Sequence, residues 1–300
     1  MKKNKKDFEF YKKGYLRLQI ELGLIFIVLL LFLLSNFNYI VFKYLIGTKY
    51  LYTDTLKDIY NEEINLTTEN YFKYFDEVSI QLFINKIQSK NNDEFTELYD
   101  IGEFAYIQGN MKAEAQKTNF EFIDNSTGCI TIPNFSGTSK NIFYKNKDNI
   151  KKCKTLIIDL RNNTGGIVSD AKDLAQLFLD KNDIIYSSKT KNSKKTYIST
   201  TSKEINNEQI IILQNEMTAS ASEIFITALK ENLDNIKIIG TTSYGKGIGQ
   251  EEHFLLKEYA VKATTMEFYT PNNNSINGIG IKPDIYCTED AKKYVLNILK

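Results

Sequence analysis

The longest uncharged stretch of the chain is the feature that most constrains its fold. Residues 22–42 carry no charged side chain and lie between Glu21 and Lys43. A helix of about 20 apolar residues spans the hydrocarbon core of a membrane, and this stretch has that length. Tyr39 and Tyr44 lie at its far end, where an interfacial aromatic belt is expected. The sequence therefore predicts one transmembrane helix at 22–42.

The charges around this stretch predict its orientation. Residues 1–21 hold a cluster of lysines, and an excess of Lys and Arg marks the cytoplasmic side of a span. We therefore expect a cytoplasmic basic N-terminus at 1–21 in a single-pass protein of the cell membrane, with the chain from residue 43 onwards outside the cytoplasm. A cleaved signal peptide is the alternative. The sequence S-N-F-N-Y after the apolar centre lacks a small-residue cleavage site, which favours an uncleaved anchor.

Composition excludes several classes of function. The formal net charge of +1 gives no electrostatic reason to expect nucleic acid as a partner. His253 is the single histidine, so a multi-histidine zinc site is excluded, and a Ser-His-Asp triad would have to use this residue. The cysteines at 129, 153 and 287 are too few and too irregularly spaced for a disulfide framework, although they could form one bridge.

Residues 43–118 are expected to form a helical linker or cap segment. Apolar residues there recur at spacings of three and four, which is typical of an amphipathic helix. The residues with this spacing are Phe72, Phe75, Val78, Leu82 and Phe83. No cluster of catalytic side chains occurs in this part of the sequence. We interpret it as a linker or cap that leads to a catalytic domain at 119–300.

Strand and turn patterns begin near Phe120. The run T-L-I-I-D at 155–159 is typical of a buried strand, and a glycine loop at 162–166 follows it. An amphipathic helix pattern comes next, and Ser169 could cap that helix. Strand, glycine loop and helix in this order predict an α/β fold.

Ser220 is the candidate nucleophile. It lies in the small-residue turn T-A-S-A-S-E at 218–223, directly before a helix pattern. Glu223 follows three residues later and completes a capping box, so a purely structural role as a helix cap is the competing interpretation. The two roles are compatible, because the free amides and the positive dipole end of a helix N-terminus can stabilise an oxyanion.

Lys246 is the candidate general base. Gly245 and Gly247 flank it, and glycines let another backbone approach closely. A lysine acts as a base only when it is neutral, so its pKa must fall by several units, and burial in apolar surroundings lowers a lysine pKa. Ser-Lys pairs are a known variant of the catalytic triad. The competing interpretation is an ordinary solvated lysine.

The same residues also match the first part of a phosphate-binding loop. Residues 240–246 fit G-x-x-x-x-G-K after a predicted strand at 236–239. Position 247 is glycine, where a serine or threonine would reach a magnesium ion. The candidate acidic strand that ends at Asp159 also comes before the loop rather than after it. Both features weigh against nucleotide binding.

Four motifs in order resemble the C-terminal-processing, or tail-specific, serine peptidases. They are I-I-D-L-R-N-N-T-G-G at 157–166, T-A-S-A-S-E at 218–223, S-Y-G-K-G-I-G-Q at 243–250 and A-T-T-M-E-F-Y-T-P-N-N-N-S-I-N-G-I-G-I-K-P-D at 263–284. Any one of them is weakly specific, whereas four in this order are highly specific. The resemblance covers about residues 129–285, roughly half of the chain.

The resemblance implies an α/β fold with a ClpP/crotonase-like superhelical peptidase core. It implies a Ser-Lys dyad in which Ser220 attacks the peptide carbonyl, Lys246 takes its proton and Gln250 orients Lys246. The implied substrate is a protein or peptide, often cut near its C-terminus. The implied chemistry uses no metal and no organic cofactor.

The resemblance also places the oxyanion on backbone amides, those of Gly165 or Gly166 and of Ala221. Members of the family often carry a PDZ domain before the core, and residues 90–118 are too few to form one. Substrate capture is therefore expected to differ in this chain. A non-catalytic peptide-binding or immunity-type protein on the same scaffold is the alternative function, and the sequence leaves the oligomeric state open.

Overall fold

A computed structural model describes most of the chain after residue 92 and parts of the chain before it. The described residues are 2–35, 49–51, 81, 84, 85, 88, 89, 93–255 and 259–299. The amphipathic helix predicted around residues 72–83 falls almost entirely outside them.

The first helix, α1 (Lys2–Ser35), contains most of the predicted membrane span. Within it Tyr15–Leu34 is 20 residues long, has a mean hydropathy of 2.3 and is not buried against any other part of the protein. By length and composition it is the one helix among the described residues that could cross a membrane, and a signal sequence would have the same properties. Residues 36–42 of the predicted span lie outside the described residues.

The remaining elements are five helices and eleven strands among the described residues. The other helices are α2 (Ile101–Ala115), α3 (Gly137–Lys152), α4 (Val168–Gln176), α5 (Ala221–Asn232) and α6 (Ala291–Ile298). The strands are β1 (Glu97–Asp100), β2 (Asn119–Phe122), β3 (Thr127–Thr131), β4 (Thr155–Asp159), β5 (Ile184–Thr190), β6 (Lys194–Ile198), β7 (Gln209–Gln214), β8 (Ile236–Gly240), β9 (Ile248–Leu255), β10 (Tyr259–Tyr269) and β11 (Ile285–Tyr286).

The larger sheet is mostly parallel and has the strand order β11-β8-β7-β4-β3-β2. Strands β3, β4, β7, β8 and β11 run parallel, and β2 pairs with β3 in the antiparallel direction. Helix α3 connects β3 to β4, and α5 connects β7 to β8, as parallel neighbours require. The carboxyl ends of β4 and β7 therefore lie side by side, and the glycine loop and the Ser220 turn follow these two ends.

Both faces of this sheet are buried, which explains the short, almost entirely apolar strands in the sequence. On one face Ile158, Ile212 and Ile238 join a core with residues of α3, α4 and α5. On the other face Ile157 and Ile211 pack with residues of α6. Successive side chains of a strand point to opposite faces, so each strand contributes to both cores.

The second sheet is antiparallel and has the order β1-β10-β5-β6, with β9 also paired to β10. Strand β1 lies within residues 43–118, where the sequence predicts a helical segment. That part of the prediction is wrong for Glu97–Asp100, because pairing with Tyr259–Lys262 of β10 overrides a short local helix preference. Helix α2, directly after β1, matches the prediction.

One smaller expectation is corrected, and one possibility that the sequence left open is decided. Helix α4 begins at Val168 with Ile167 at its N-cap and has no side-chain cap, so Ser169 is not the cap. The amide of Ile167 instead donates to the carbonyl oxygen of Phe135, which holds this N-cap residue directly after the glycine loop. The three cysteines are free and form no bridge.

Candidate active site

Ser220 lies at the N-cap position of α5, directly after the loop that leaves β7. Its backbone angles are φ 57° and ψ −118°, a combination that non-glycine residues rarely adopt. Such a conformation costs of the order of 1–3 kcal/mol, so surrounding contacts must hold it. The residue is partly exposed, which leaves it accessible to a substrate.

Hydrogen bonds to the Glu223 carboxylate hold the turn at Ser220. Oε2 of this carboxylate accepts hydrogen bonds from the amide of Ser220 at 2.9 Å and from the amide of Lys246 at 2.8 Å. Its Oε1 accepts from the amide of Gly245 at 2.7 Å and from the hydroxyl of Ser243 at 2.6 Å. Glu223 therefore joins the serine turn to the lysine loop.

The surroundings of Glu223 act on its charge in two directions. The side chain is fully buried, and this desolvation raises the pKa of the carboxyl group. The four hydrogen-bond donors stabilise the charged form and oppose the shift. Half of the predicted capping box is present, because the amide of Ser220 donates to Glu223, whereas the amide of Glu223 donates to the backbone carbonyl oxygen of Ser220 and not to its hydroxyl. The reach of the carboxylate to the lysine loop was not predicted, because it joins residues more than 20 positions apart.

The glycine loop packs directly against Ser220. Gly165 has φ 110°, and a Cβ atom there would come within 2.9 Å of both the Cβ of Ser220 and the carbonyl oxygen of Ala219. Gly166 has φ 126°, and a Cβ there would lie 2.2 Å from the carbonyl oxygen of Phe135. Both positions therefore require glycine, and Gly165 lets the loop approach the serine closely.

The three amides that the resemblance assigns to the oxyanion are not equivalent. The amide of Gly165 already donates to Oδ1 of Asn163 at 2.9 Å. The amides of Gly166 and Ala221 have no acceptor within the described part of the chain. Only the latter two are therefore free to bind a substrate oxygen.

Asn163 is a buried residue that the sequence analysis missed. Its Nδ2 donates to the carbonyl oxygen of Ile132 at 2.8 Å, which ties the glycine loop to the segment after β3. The backbone carbonyl oxygen of Asn163 accepts hydrogen bonds from the amide of Ala219 and from the hydroxyl of Ser222, each at 3.0 Å. Asn163 thus connects the glycine loop to the serine turn. An asparagine two residues before glycine is an Asx-turn signal, and it could have drawn attention to this position.

Lys246 is held by two neighbours. Its Nζ donates to Oε1 of Gln250 at 2.9 Å and lies 4.6 Å from the centre of the Phe95 ring. Gln250 in turn donates through Nε2 to the carbonyl oxygen of Phe95. The side chain of Gln250 therefore holds the lysine amine on one side.

The pKa of Lys246 is lowered to about 8. Burial is the largest cause, because desolvation disfavours the ammonium form. The positive charge of Lys262 on β10 lowers the pKa further, whereas the carboxylates of Glu97, Asp93 and Glu94 raise it. At pH 7 a minor fraction of the amine is therefore neutral, and this fraction grows as the pH rises towards 8.

Ser220 and Lys246 come together through their backbones rather than through a direct side-chain bond. Both amides donate to the same oxygen of Glu223. Among the hydrogen bonds of the described residues, Nζ of Lys246 is joined to Gln250 and not to the Ser220 hydroxyl. Catalytic hydrogen bonds are often long in substrate-free enzymes and shorten when substrate binds.

His253 lies in β9 and does not contact Ser220 in the part of the chain that is described. Burial lowers its pKa, and its Nε2 lies 3.8 Å from the Glu251 carboxylate. The geometry therefore gives no support to a Ser-His-Asp triad. No group of three or more His, Cys, Asp or Glu side chains within the described ranges is placed to hold a metal ion.

The loop that resembles a phosphate-binding loop has no free amide cradle. The amides of Gly245 and Lys246 donate to Glu223, and the amide of Tyr244 donates to the carbonyl oxygen of Thr218. A phosphate cradle needs such amides to be free, and a helix should follow the loop. Here strand β9 follows instead. The phosphate-loop interpretation is therefore wrong.

Comparison with known proteins agrees with the geometry. The model of the family described as peptidase family S41 matches residues 126–287. The chain is 34% identical over 228 residues to a "Probable CtpA-like serine protease" of Staphylococcus aureus strain N315, a match that covers 72% of this chain and 44% of that protein. A protein of the same description from Staphylococcus saprophyticus is 31% identical over 220 residues, with 71% and 44% covered. The chain thus spans less than half the length of these relatives.

Two solved structures show the same fold. A lipoprotein from Streptococcus agalactiae aligns with a TM-score of 0.66 at 18% identity, covering 88% of this chain and 95% of that chain. A protein from Parabacteroides merdae aligns with a TM-score of 0.55 at 18% identity, covering 83% and 88%. The family match covers more than half of the chain and includes the glycine loop, the serine turn and the lysine loop. The predicted resemblance and α/β peptidase fold are thereby confirmed, and the chain belongs to peptidase family S41.

Proposed function

We propose that this chain is a serine endopeptidase in which Ser220 is the nucleophile and Lys246 the general base. The observation that carries the proposal is the Glu223 carboxylate, which holds the amides of both residues on one oxygen. Family membership makes peptide-bond hydrolysis the expected reaction. The description of the staphylococcal relatives as serine proteases supports the same reaction.

Acylation begins when the neutral Nζ of Lys246 accepts the proton of the Ser220 hydroxyl. The Ser220 oxygen then forms a bond to the carbonyl carbon of the substrate, and the carbonyl oxygen becomes an oxyanion. The lysine returns its proton to the leaving amine as the peptide bond breaks. In deacylation the same amine takes a proton from water, and the resulting hydroxide adds to the carbonyl carbon of the acyl-enzyme. As the ester bond to Ser220 breaks, the ammonium returns that proton to the Ser220 oxygen, so the free serine, the neutral lysine and the acid product are formed. Gln250 keeps the amine oriented throughout.

The amides of Gly166 and Ala221 are the proposed oxyanion donors. The amide of Gly165 is committed to Asn163, so it is the less suitable of the two glycine amides. Ala221 is the first residue of α5, where the positive end of the helix dipole adds to the stabilisation. Loss of a single oxyanion donor typically costs 10²- to 10³-fold in rate.

Three large apolar side chains next to the segments that carry the catalytic groups support a peptide substrate. They are exposed to solvent, and each lies within or directly beside a catalytic segment. They are Ile167, Met217 and Tyr244. We expect them to contact apolar side chains of an unfolded or extended substrate, and the family resemblance suggests cleavage near substrate C-termini.

We further propose that α1 anchors the protein in the cell membrane with residues 1–21 in the cytoplasm. The catalytic domain would then act on extracytoplasmic proteins or peptides. Protease treatment of intact cells tests this orientation, because it should remove an epitope placed after residue 299 and spare one placed before residue 15. Protection of the C-terminal epitope in intact cells, with loss after lysis, would contradict it.

The catalytic roles are tested by cleavage of fluorescent casein with the full chain in detergent. Ser220→Ala is expected to reduce cleavage to background, and Lys246→Met to reduce it by about 10²- to 10⁴-fold through loss of the general base. Ser202→Ala and Lys189→Ala, at exposed positions, are matched controls and should retain wild-type activity. Wild-type rates for both site variants would contradict the dyad. Peptide binding without cleavage by the parent would favour the non-catalytic alternative.

A further inference from the structure

We infer that Phe95 is a positioning residue for the proposed base, since its ring covers the amine of Lys246 and its carbonyl oxygen fixes Gln250. This inference rests on the proposed function of Lys246. Phe95 lies before residues 126–287, the range matched by the family. The base would therefore be completed by a part of the chain outside the family core.

Phe95 acts on the lysine through two contacts. The Nζ atom lies 4.6 Å from the ring centre, where an aromatic face attracts a cation and also excludes water. The carbonyl oxygen of the same residue accepts the hydrogen bond from Nε2 of Gln250. Because Oε1 of Gln250 accepts from Nζ at 2.9 Å, this second contact fixes the direction in which the glutamine presents its oxygen to the amine.

A buried carboxylate holds the Phe95 segment in place. Asp93 is almost fully buried, and its Oδ2 accepts from the hydroxyls of Tyr50 at 2.8 Å and Thr96 at 2.6 Å. Its Oδ1 accepts from the hydroxyl of Thr264 at 2.8 Å and from the amide of Phe95 at 3.3 Å. The segment is therefore attached to strand β10.

This attachment point lies beside the catalytic glutamine. Thr264 of β10 is the register partner of Gln250 on β9. The amide of Thr264 also donates to the Thr96 hydroxyl at 3.0 Å. The position of Phe95 relative to Gln250 is thus fixed by bonded neighbours on both sides.

The ring is also packed against the lysine loop. Tyr244, two residues before Lys246, meets Phe95 edge to face with ring centres 6.4 Å apart. The Tyr244 hydroxyl donates to the Glu94 carboxylate at 3.3 Å. An aromatic pair of this kind contributes roughly 0.5–1.5 kcal/mol beyond the area it buries. The ring therefore stays over the amine rather than turning to solvent.

The surroundings of Lys246 determine how removal of the Phe95 ring should change the pKa of the lysine. Lys262 disfavours the ammonium, whereas Glu97, Asp93 and Glu94 favour it, and burial outweighs all of them. The Phe95 ring contributes to that burial but also attracts the ammonium, so the two effects oppose each other. Since burial is the largest cause of the lowered pKa, loss of the ring should raise the pKa towards its ordinary value.

The test compares Phe95→Ala with Phe95→Leu in the full chain in detergent. Leucine keeps an apolar cover and alanine does not. For Phe95→Ala we expect the rise of kcat/KM with pH to move up by about one pH unit, a roughly tenfold loss at pH 7 that is recovered at higher pH. For Phe95→Leu, kcat/KM should rise at the same pH as in the wild type or at a slightly lower pH. Phe122→Ala, at an exposed position of β2, is the control and should behave as wild type.

A second measurement does not depend on activity. In a Ser220→Ala background, the rate of Lys246 acetylation by acetic anhydride, followed by mass spectrometry against pH, reports the pKa of the amine directly. The same upward shift for Phe95→Ala supports the inference. An unchanged labelling profile, or a loss of activity that is equal at every pH, would overturn it and indicate a merely structural role. If Ser220→Ala still cleaves casein, the proposed function fails, and the labelling profile alone then decides the effect of Phe95 on Lys246.

Discussion

The carboxylate of Glu223 accepts a hydrogen bond of 2.8 Å from the backbone amide of Lys246, 23 positions further along the chain. The same oxygen accepts from the amide of Ser220, so the positions of the proposed nucleophile and base depend on one side chain. Side-chain truncation at either reactive residue would leave this link intact. Alteration of Glu223 would disturb both residues together.

Glu223→Gln should therefore damage stability and activity in one step. The amide of glutamine offers one acceptor where the carboxylate offers two, so its NH₂ group would face two N–H donors in a buried place. We expect a loss of about 2–5 kcal/mol in the free energy of unfolding, from two unsatisfied buried groups, and a fall of more than tenfold in cleavage. Thermal unfolding and casein cleavage measure the two effects. Glu208→Gln, at an exposed site, is the control. Equal stability and equal cleavage rates for the two variants would show that Glu223 does not hold the two residues in place.

Gly165→Ala should inactivate the protein by steric conflict. The added Cβ would lie 2.9 Å from the Cβ of Ser220, and φ 110° is strained for any L side chain. Gly109→Ala in α2 is the matched control, since no atom lies within 4 Å of its added Cβ. That control should stabilise the helix by up to about 1 kcal/mol and leave cleavage unchanged. Full activity of Gly165→Ala would show that the glycine loop does not need this close approach.

Lys246→Met should stabilise the fold while it strongly reduces cleavage. The pKa of the buried amine is about 8 in the folded chain against an ordinary 10.5, which costs roughly 3 kcal/mol at pH 7. Loss of the donor to Gln250 offsets about 1 kcal/mol of the gain. We therefore expect a Tm a few degrees above that of wild type at pH 7.

The stability difference between Lys246→Met and the wild type should decrease as pH rises. Well below pH 8 the amine is mostly protonated in both the folded and the unfolded chain, and the penalty is almost fully present. Between pH 8 and 10.5 the unfolded chain binds more protons, so the wild type gains stability as pH rises. The Tm advantage of Lys246→Met should shrink over that window. A difference that stays constant with pH would contradict a lowered pKa for Lys246.

Arg161→Lys should weaken the fold without a shift in the pH profile of cleavage. Arg161 donates through Nε and Nη2 to the buried Asp159, and through Nη1 to Asp290 at 2.6 Å. A lysine cannot reproduce this planar, forked geometry. We expect a loss of about 1–3 kcal/mol in the free energy of unfolding.

The other arginine of the chain provides the control for this change. Arg17 forms an exposed i,i+4 pair with Glu21 in α1. Exposed pairs of this kind contribute little, so Arg17→Lys should be neutral. Equal Tm values for the two lysine variants would mean that the forked contact at Arg161 does not stabilise the fold.

The local features of the site could be predicted from sequence because each depends on a few neighbouring residues. The apolar runs of β4 and β7 predict buried strands, and T-A-S-A-S-E predicts a turn followed by a helix. These patterns are confirmed by the structure and the family match. The α/β class followed from their order along the chain.

The contacts that tune the lysine could not be predicted in this way. Phe95 and Gln250 are 155 positions apart, and no periodic pattern connects them. The short strand β1 could not be predicted, because pairing with β10, rather than its own residues, determines its conformation. The hydrogen bonds from the lysine loop to Glu223 could not be predicted either, because a capping box already accounts for a glutamate at that position.

The backbone angles of Ser220 limit which residues the position can accept through evolution or design. At φ 57° and ψ −118° glycine would be relaxed, so Ser220→Gly should yield a more stable but unreactive chain. Cysteine is unbranched at Cβ, like serine, and could present a thiolate from the same place. Threonine carries an extra methyl on Cβ and would add crowding to an already unfavourable backbone. The fold thus favours serine or cysteine chemistry at this position over a threonine nucleophile.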